Sequence, residues 1–200
     1  IDQVLSLIQP SQMTKSLMGL SGLLGSLSAG LLSLYPRASI SFFQHQTMSA
    51  FNRDAKGVYL ITVTPFKDNG ELDLSSTDRM VDFLLERGVT GLTVLGIMGE
   101  APKLTAAESQ TYVRHALQRV QNQVPVVVGF SSPGLASMRE LTQRVMDLGA
   151  AGVMVAPPHT VQTDDQIAAY FEGVNEALGE QTPWCLQDHP LASGVQMSAT

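Results

Sequence analysis

Residues 88–100 read GVTGLTVLGIMGE, and the fold turns on them. Gly88 is placed to close a helix, because a residue without a Cβ adopts the left-handed C′ conformation at little cost. Gly91–Leu95 is a short aliphatic and β-branched run, the composition of a strand buried on both faces. Gly96-Ile97-Met98-Gly99-Glu100 then breaks the run with two glycines and a carboxylate, as a loop leaving the carboxyl end of a strand does.

The same unit recurs on either side. Val58–Thr64, Pro125–Gly129, Gly152–Ala156 and Trp184–Leu186 are further strand-like runs bounded by Gly or Pro, about 30 residues apart, as right-handed βαβ crossovers require. Between them, Thr105-Ala-Ala-Glu108 and Thr163-Asp-Asp-Gln166 have capping-box spacing, and Gly88, Gly149 and Gly179 close helical stretches. The first of these, Leu74–Arg87, sets Val81, Leu84 and Leu85 on one face and Asp78, Asp82 and Glu86 on another. A doubly wound sheet would carry a glycine-rich phosphate loop after its first strand, and Thr64-Pro65-Phe66-Lys67-Asp68 has no glycine. The pattern therefore predicts an α/β protein of the TIM (β/α)8 barrel class. A full barrel takes about 250 residues, so residues 48–200 are expected to hold its first five βα units, with the chain ending mid-fold.

Composition narrows the partners. The 200 residues carry a net charge of −6, a pI near 5.1 and 44% hydrophobic residues. That leaves no basic face for nucleic acid or an anionic membrane and favours a small soluble ligand. Residues 1–47 differ from the rest: their only charges are Asp2, Lys15 and Arg37, and Leu17–Leu34 is an uncharged run diluted by glycine and serine. They are read as upstream sequence or a disordered leader, ahead of a targeting segment or a membrane anchor. Cys185, the single cysteine, sits in an apolar run and is read as a buried structural thiol of a reduced, cytoplasmic protein.

Barrel chemistry is built at the carboxyl ends of the strands. There the sequence offers Gly96–Glu100, whose glycines let backbone amides approach a carboxylate; His159, after Ala156-Pro157-Pro158; and Gln187-Asp188-His189-Pro190. Adjacent residues of an extended segment point to opposite sides, so only one of Asp188 and His189 is expected to face a pocket. His115, inside the second helix, is read as surface or packing.

In order and spacing, GVYLITVTPF at 57–66, the 88–100 stretch, PVVVG at 125–129 and GAAGVMVAPP at 149–158 resemble the dihydrodipicolinate synthase and N-acetylneuraminate lyase family. The resemblance runs from about Lys56 to Thr200. It implies a lyase, aldolase or dehydratase in which a lysine amine condenses with the ketone of pyruvate or another 2-oxo acid, needing no cofactor and working as a homo-oligomer. It also places that lysine on the sixth strand, past Thr200; none of Lys15, Lys56, Lys67 and Lys103 ends a buried strand.

The chain departs from the family pattern at several positions. Ile97 and Met98 stand where two hydroxyl residues precede Gly-Glu, so Gly96, Ile97, Met98, Gly99 and Glu100 would bind substrate through backbone amides or another group. Gln187 stands where the pattern has a proton-relay tyrosine, His159 where it has a second tyrosine, and Ala192 where it has an arginine. His159, Gln187 and Asp188 are thus the expected catalytic positions, with His159 the substitute acid or base. These changes argue against dihydrodipicolinate synthesis itself. Two rivals remain at this point: a metal-dependent aldolase or hydrolase using Glu100, His159 and Asp188 or His189, and a non-catalytic 2-oxo-acid binding protein.

Overall fold

The computed structural model describes residues 51–130 and 134–198. The leader expected over residues 1–47 lies outside them. Five parallel strands, β1 (Tyr59–Ile61), β2 (Gly91–Val94), β3 (Val126–Phe130), β4 (Gly152–Val155) and β5 (Trp184–Leu186), pair in sequence order β1-β2-β3-β4-β5. Four helices connect them: α1 (Leu74–Glu86), α2 (Ala106–Val120), α3 (Leu135–Asp147) and α4 (Asp164–Leu178); a short α5 (Pro190–Ser193) follows β5. The order never reverses. A doubly wound sheet reverses at its switch point, whereas a barrel adds each strand beside the last. The architecture is that of a partial (β/α) barrel.

Side-chain alternation separates the two faces of the sheet. Leu92, Val94, Val126, Val128, Phe130, Val153 and Val155 join the hydrophobic core beneath the helices, where Val81, Tyr112, Val113, Met138, Val145 and Val174 meet them. The intervening Thr93, Val127 and Met154 belong to the inner face. β2, β3 and β4 are buried throughout, which is why they read as continuous apolar runs. Each fully buried Val or Leu contributes about 1.5–3 kcal/mol.

Both expected capping boxes form, Thr105 with Glu108 and Thr163 with Gln166. Gly88 and Gly149 take φ of +76° and +97° beyond α1 and α3. Two expectations need correction. The regular part of the first strand is Tyr59–Ile61 rather than Val58–Thr64, although Val58 O still accepts from Thr90 N and Gly91 N, and Thr62 N donates to Thr93 O at 2.9 Å. Gly179 ends α4 with φ 76°, ψ 162°, an extended conformation open to glycine rather than a left-handed helical one. The acidic face of α1 meets α2: Asp78 Oδ1 lies 2.7 Å from His115 Nε2, and Asp82 pairs with Arg119. His115 is thus a packing residue between helices. The Arg119 hydrogen bond holds the Asp82 carboxyl below its usual range. Both members of that pair are more than a third exposed, so it adds little stability.

Among the described residues no helix is long and apolar enough to cross a membrane.

Candidate active site at the carboxyl ends of the strands

The loop after β2 is tightly built. Leu95 is fully buried yet takes φ +55°, turning the chain inward; Ile97–Gly99 then forms one 3-10 turn, Glu100 takes φ +54°, and Ala101–Lys103 forms a second. Such left-handed conformations are costly for residues with a Cβ and persist where the surroundings impose them. Here the surroundings are β3 and β1. A Cβ on Gly129 would stand 2.5 Å from Leu95 O and 2.8 Å from Gly96 Cα, so only glycine lets the loop lie this close to β3. Thr64 Oγ1 donates to Gly99 O at 2.7 Å and fixes the other side.

Tyr112, a residue the sequence did not single out, anchors that second contact. It is fully buried on α2, and its hydroxyl donates to Val63 O at 2.9 Å, holding the chain as it leaves β1. Burial pushes its phenol pKa up, with the Thr62 and Thr64 hydroxyls opposing the shift. The helical spacing of Ser109, Tyr112, Val113, Ala116 and Val120 marks it as a core position, but nothing in that pattern reveals its partner.

Within the barrel wall, the methyls of Ile61, Met154 and Thr93 converge on Gly96: a Cβ there would meet Ile61 Cγ2 at 2.9 Å, Met154 Cε at 3.6 Å and Thr93 Cγ2 at 4.0 Å. Met98 is 58% exposed and Val63 47%, and Ile97 is half-buried. Glu100 does not turn inward; its carboxylate pairs with Lys103 Nζ at 2.6 Å on the surface. Gln187 N donates to Val155 O at 2.8 Å, which brings the start of the β5 loop beside the β4 loop that carries His159. His159 is exposed, and its carbonyl accepts from Gln162 Nε2 at 2.6 Å. Asp188 and His189 are both exposed, and His189 O caps α5 by accepting from Ala192 N and Ser193 N. Gly96, Ile97, Met98 and Gly99 therefore share the end of the sheet with Gln187 and His159, while the side chain of Glu100 belongs to an ion pair. Among the described residues no three His, Cys, Asp or Glu side chains gather as a metal site, so the metal-dependent alternative has no ligand set here. A cleft of about 440 Å³ between α2 and α3, lined by Leu104, Phe130 and Met138 among others, opens on the helix side of the sheet and holds none of the expected site residues.

A sequence model of the dihydrodipicolinate synthetase family matches residues 54–200. The chain belongs to this family. The dihydrodipicolinate synthase of Rhodopseudomonas palustris is 49% identical, with a TM-score of 0.69 over 72% of this chain and 48% of that one. YagE, a family member from E. coli K12 solved in complex with pyruvate, is 31% identical with a TM-score of 0.62 over 70% of this chain and 48% of its own. The 4-hydroxy-tetrahydrodipicolinate synthase of Thermotoga petrophila is 37% identical over 122 residues, 60% of this chain and 41% of its own length. The chain thus spans less than half the length of the curated relatives it matches.

Proposed function

We propose that the protein is a Schiff-base lyase or aldolase acting on pyruvate or another 2-oxo acid, with a reaction other than dihydrodipicolinate synthesis. The observation that carries this reading is the constellation around Gly96–Gly99: the family's barrel and its glycine-bounded loop are retained, while Ile97, Met98 and Gln187 stand where the family pattern has hydroxyl side chains. The loop offers backbone amides to the substrate carboxylate. His159 is the acid or base, because it lies on the β4 loop beside Gln187 at the carboxyl ends of the strands and stands where the family pattern has a tyrosine. Asp188 stays at the rim beside Gln187, which positions substrate and exchanges no proton.

The condensing amine belongs to a lysine outside residues 51–198. Lys67 Nζ is bound to Glu71 at 3.0 Å and Lys103 to Glu100, both at the surface, whereas a Schiff-base lysine needs a desolvated site to be neutral near pH 7. The amine displaces the ketone oxygen of the 2-oxo acid as water; loss of a proton from the adjacent carbon gives an enamine. That carbon bonds to an aldehyde carbon, the aldehyde oxygen takes up a proton, and water then releases the product and the amine. The pyruvate complex of the E. coli relative supports the donor. The single, partly buried Cys185 fits a cytoplasmic protein, and we expect a homo-oligomer.

Borohydride with pyruvate is expected to leave a stoichiometric pyruvyl adduct on the full-length gene product, read by mass spectrometry. Activity that resists this trapping but is lost to a chelator would sink the proposal. His159→Ala should lower turnover about 100-fold or more without altering the melting temperature, and no 4-hydroxy-tetrahydrodipicolinate should form.

A further inference from the structure

We infer that the electrophile this site accepts is an uncharged, apolar aldehyde, and that Met98 and Val63 select it. The inference rests on the 2-oxo-acid reading and names the second substrate class. Its first support is the inner wall: methyl groups of Ile61, Thr93 and Met154 converge on Gly96, so the side chains nearest it present mainly apolar groups, the Thr93 hydroxyl being the one side-chain donor among the three. The second is the rim. Met98 and Val63 are about half exposed: Thr62 and Thr64 on either side of Val63 are buried, their hydroxyls donating to Thr93 O and Gly99 O, and strand alternation leaves Val63 on the face that Ile61 occupies two residues earlier. An exposed Met and Val at the end of the sheet that holds those methyl groups make a surface that gains from covering an apolar substituent.

The third support is charge. The loops that follow the five strands contain no arginine and only two lysines, Lys67 and Lys103, beside the imidazoles of His159 and His189. Each lysine is taken by a carboxylate of its own loop, Glu71 at 3.0 Å and Glu100 at 2.6 Å. A second carboxylate, on the aldehyde, would therefore meet no free lysine or arginine in this part of the site, and a polyhydroxylated aldehyde would lose water while regaining few hydrogen bonds on the methyl-lined wall. An aromatic or branched aliphatic aldehyde loses neither. The carbon–carbon bond is the one already described, between the enamine carbon of pyruvate and the aldehyde carbon; in reverse, the same site cleaves a 4-hydroxy-2-oxo acid with an apolar substituent.

The test uses the full-length gene product with pyruvate and four aldehydes: benzaldehyde, isobutyraldehyde, succinic semialdehyde and glyceraldehyde. The kcat/KM for the first two is expected to exceed that for the last two by about tenfold or more. Met98→Thr and Val63→Thr, each at a half-exposed position and so expected to fold, should each cut that ratio by about tenfold. A preference for the charged or polyhydroxylated aldehyde, or a ratio unmoved in whichever variant folds, overturns the inference. Borohydride trapping with pyruvate alone separates the two levels. An adduct with the wrong aldehyde preference overturns only the inference, whereas no adduct removes the 2-oxo-acid reading and the inference with it.

Discussion

The two ends of the sheet spend their glycines differently. At the amino ends, a Cβ on Gly91 would meet the Tyr59 ring at 2.5 Å and one on Gly152 the Phe51 ring at 2.5 Å; the two rings lie 5.6 Å apart and fill the floor of the barrel. At the carboxyl ends, the space beside Gly129 is taken by backbone, with Leu95 O 2.5 Å and Gly96 Cα 2.8 Å from a Cβ placed there. Gly91 is crowded first by a ring that can be trimmed, with Pro125 O further off at 3.0 Å, and Gly152 by a ring together with Pro183 O at 2.6 Å. Gly129 is crowded by main chain alone, which cannot be trimmed and which holds the loop after β2 in place.

The sharpest way to break this contrast is to add a methyl group at each end. Gly129→Ala is expected to cost about 3 kcal/mol or more in urea unfolding, because the clash is with backbone on a buried strand. Gly91→Ala should cost about 2 kcal/mol, and in combination with Tyr59→Leu should be less than additive by about 1 kcal/mol, since the shortened side chain makes room. Equal costs for the two glycines, with no relief in the double variant, would erase the distinction. Phe51→Ala is next, at about 2 kcal/mol for a half-buried ring, and it should leave substrate binding at the far end untouched. Tyr112→Phe probes the other end more gently: losing the hydrogen bond to Val63 O should cost about 1 kcal/mol and raise KM, because the chain leaving β1 is no longer held. A stability change with no kinetic change would make Tyr112 part of the core alone.

The smallest effect concerns β5, between the two ends. Burial pushes the Cys185 thiol up to about 11 from an ordinary 9.0. A group that is harder to ionise when folded contributes stability that is whole below its unfolded pKa and fades as pH rises through the folded one. Stability should therefore fall between about pH 9 and 11 more steeply than in Cys185→Ser, as measured by denaturant titration across that range.

Much of this was legible in the sequence because it is written in local terms. β2 and β4 are bounded by glycine and composed of residues that suit a doubly buried strand, and the Thr105 and Thr163 boxes announce their own helices within four residues. What escaped depends on contacts between distant segments. The fate of Glu100 was settled by Lys103, three residues away but across a left-handed turn that no periodicity signals. The partnership of Asp78 with His115 spans 37 residues, and that of Tyr112 with Val63 spans 49. The regular span of β1 is short because its pairing with β2 continues beyond Tyr59–Ile61 through single hydrogen bonds rather than an unbroken ladder.

Leu95 carries a consequence for how this chain can drift over generations of mutation. Its backbone sits at φ +55° while its side chain is 1% exposed, so two demands fall on a single codon. Glycine would relieve roughly 1–2 kcal/mol of backbone strain but forfeit a buried side chain worth about 3 kcal/mol. Valine or isoleucine would keep the burial and worsen the strain, because branching at Cβ is least tolerated in the left-handed region. Asparagine suits the backbone and would bury an unpaired amide. Single substitutions at this site lead downhill in every direction except toward an unbranched chain of similar volume, with methionine the nearest, so the loop it turns is anchored by a residue with almost nowhere to go.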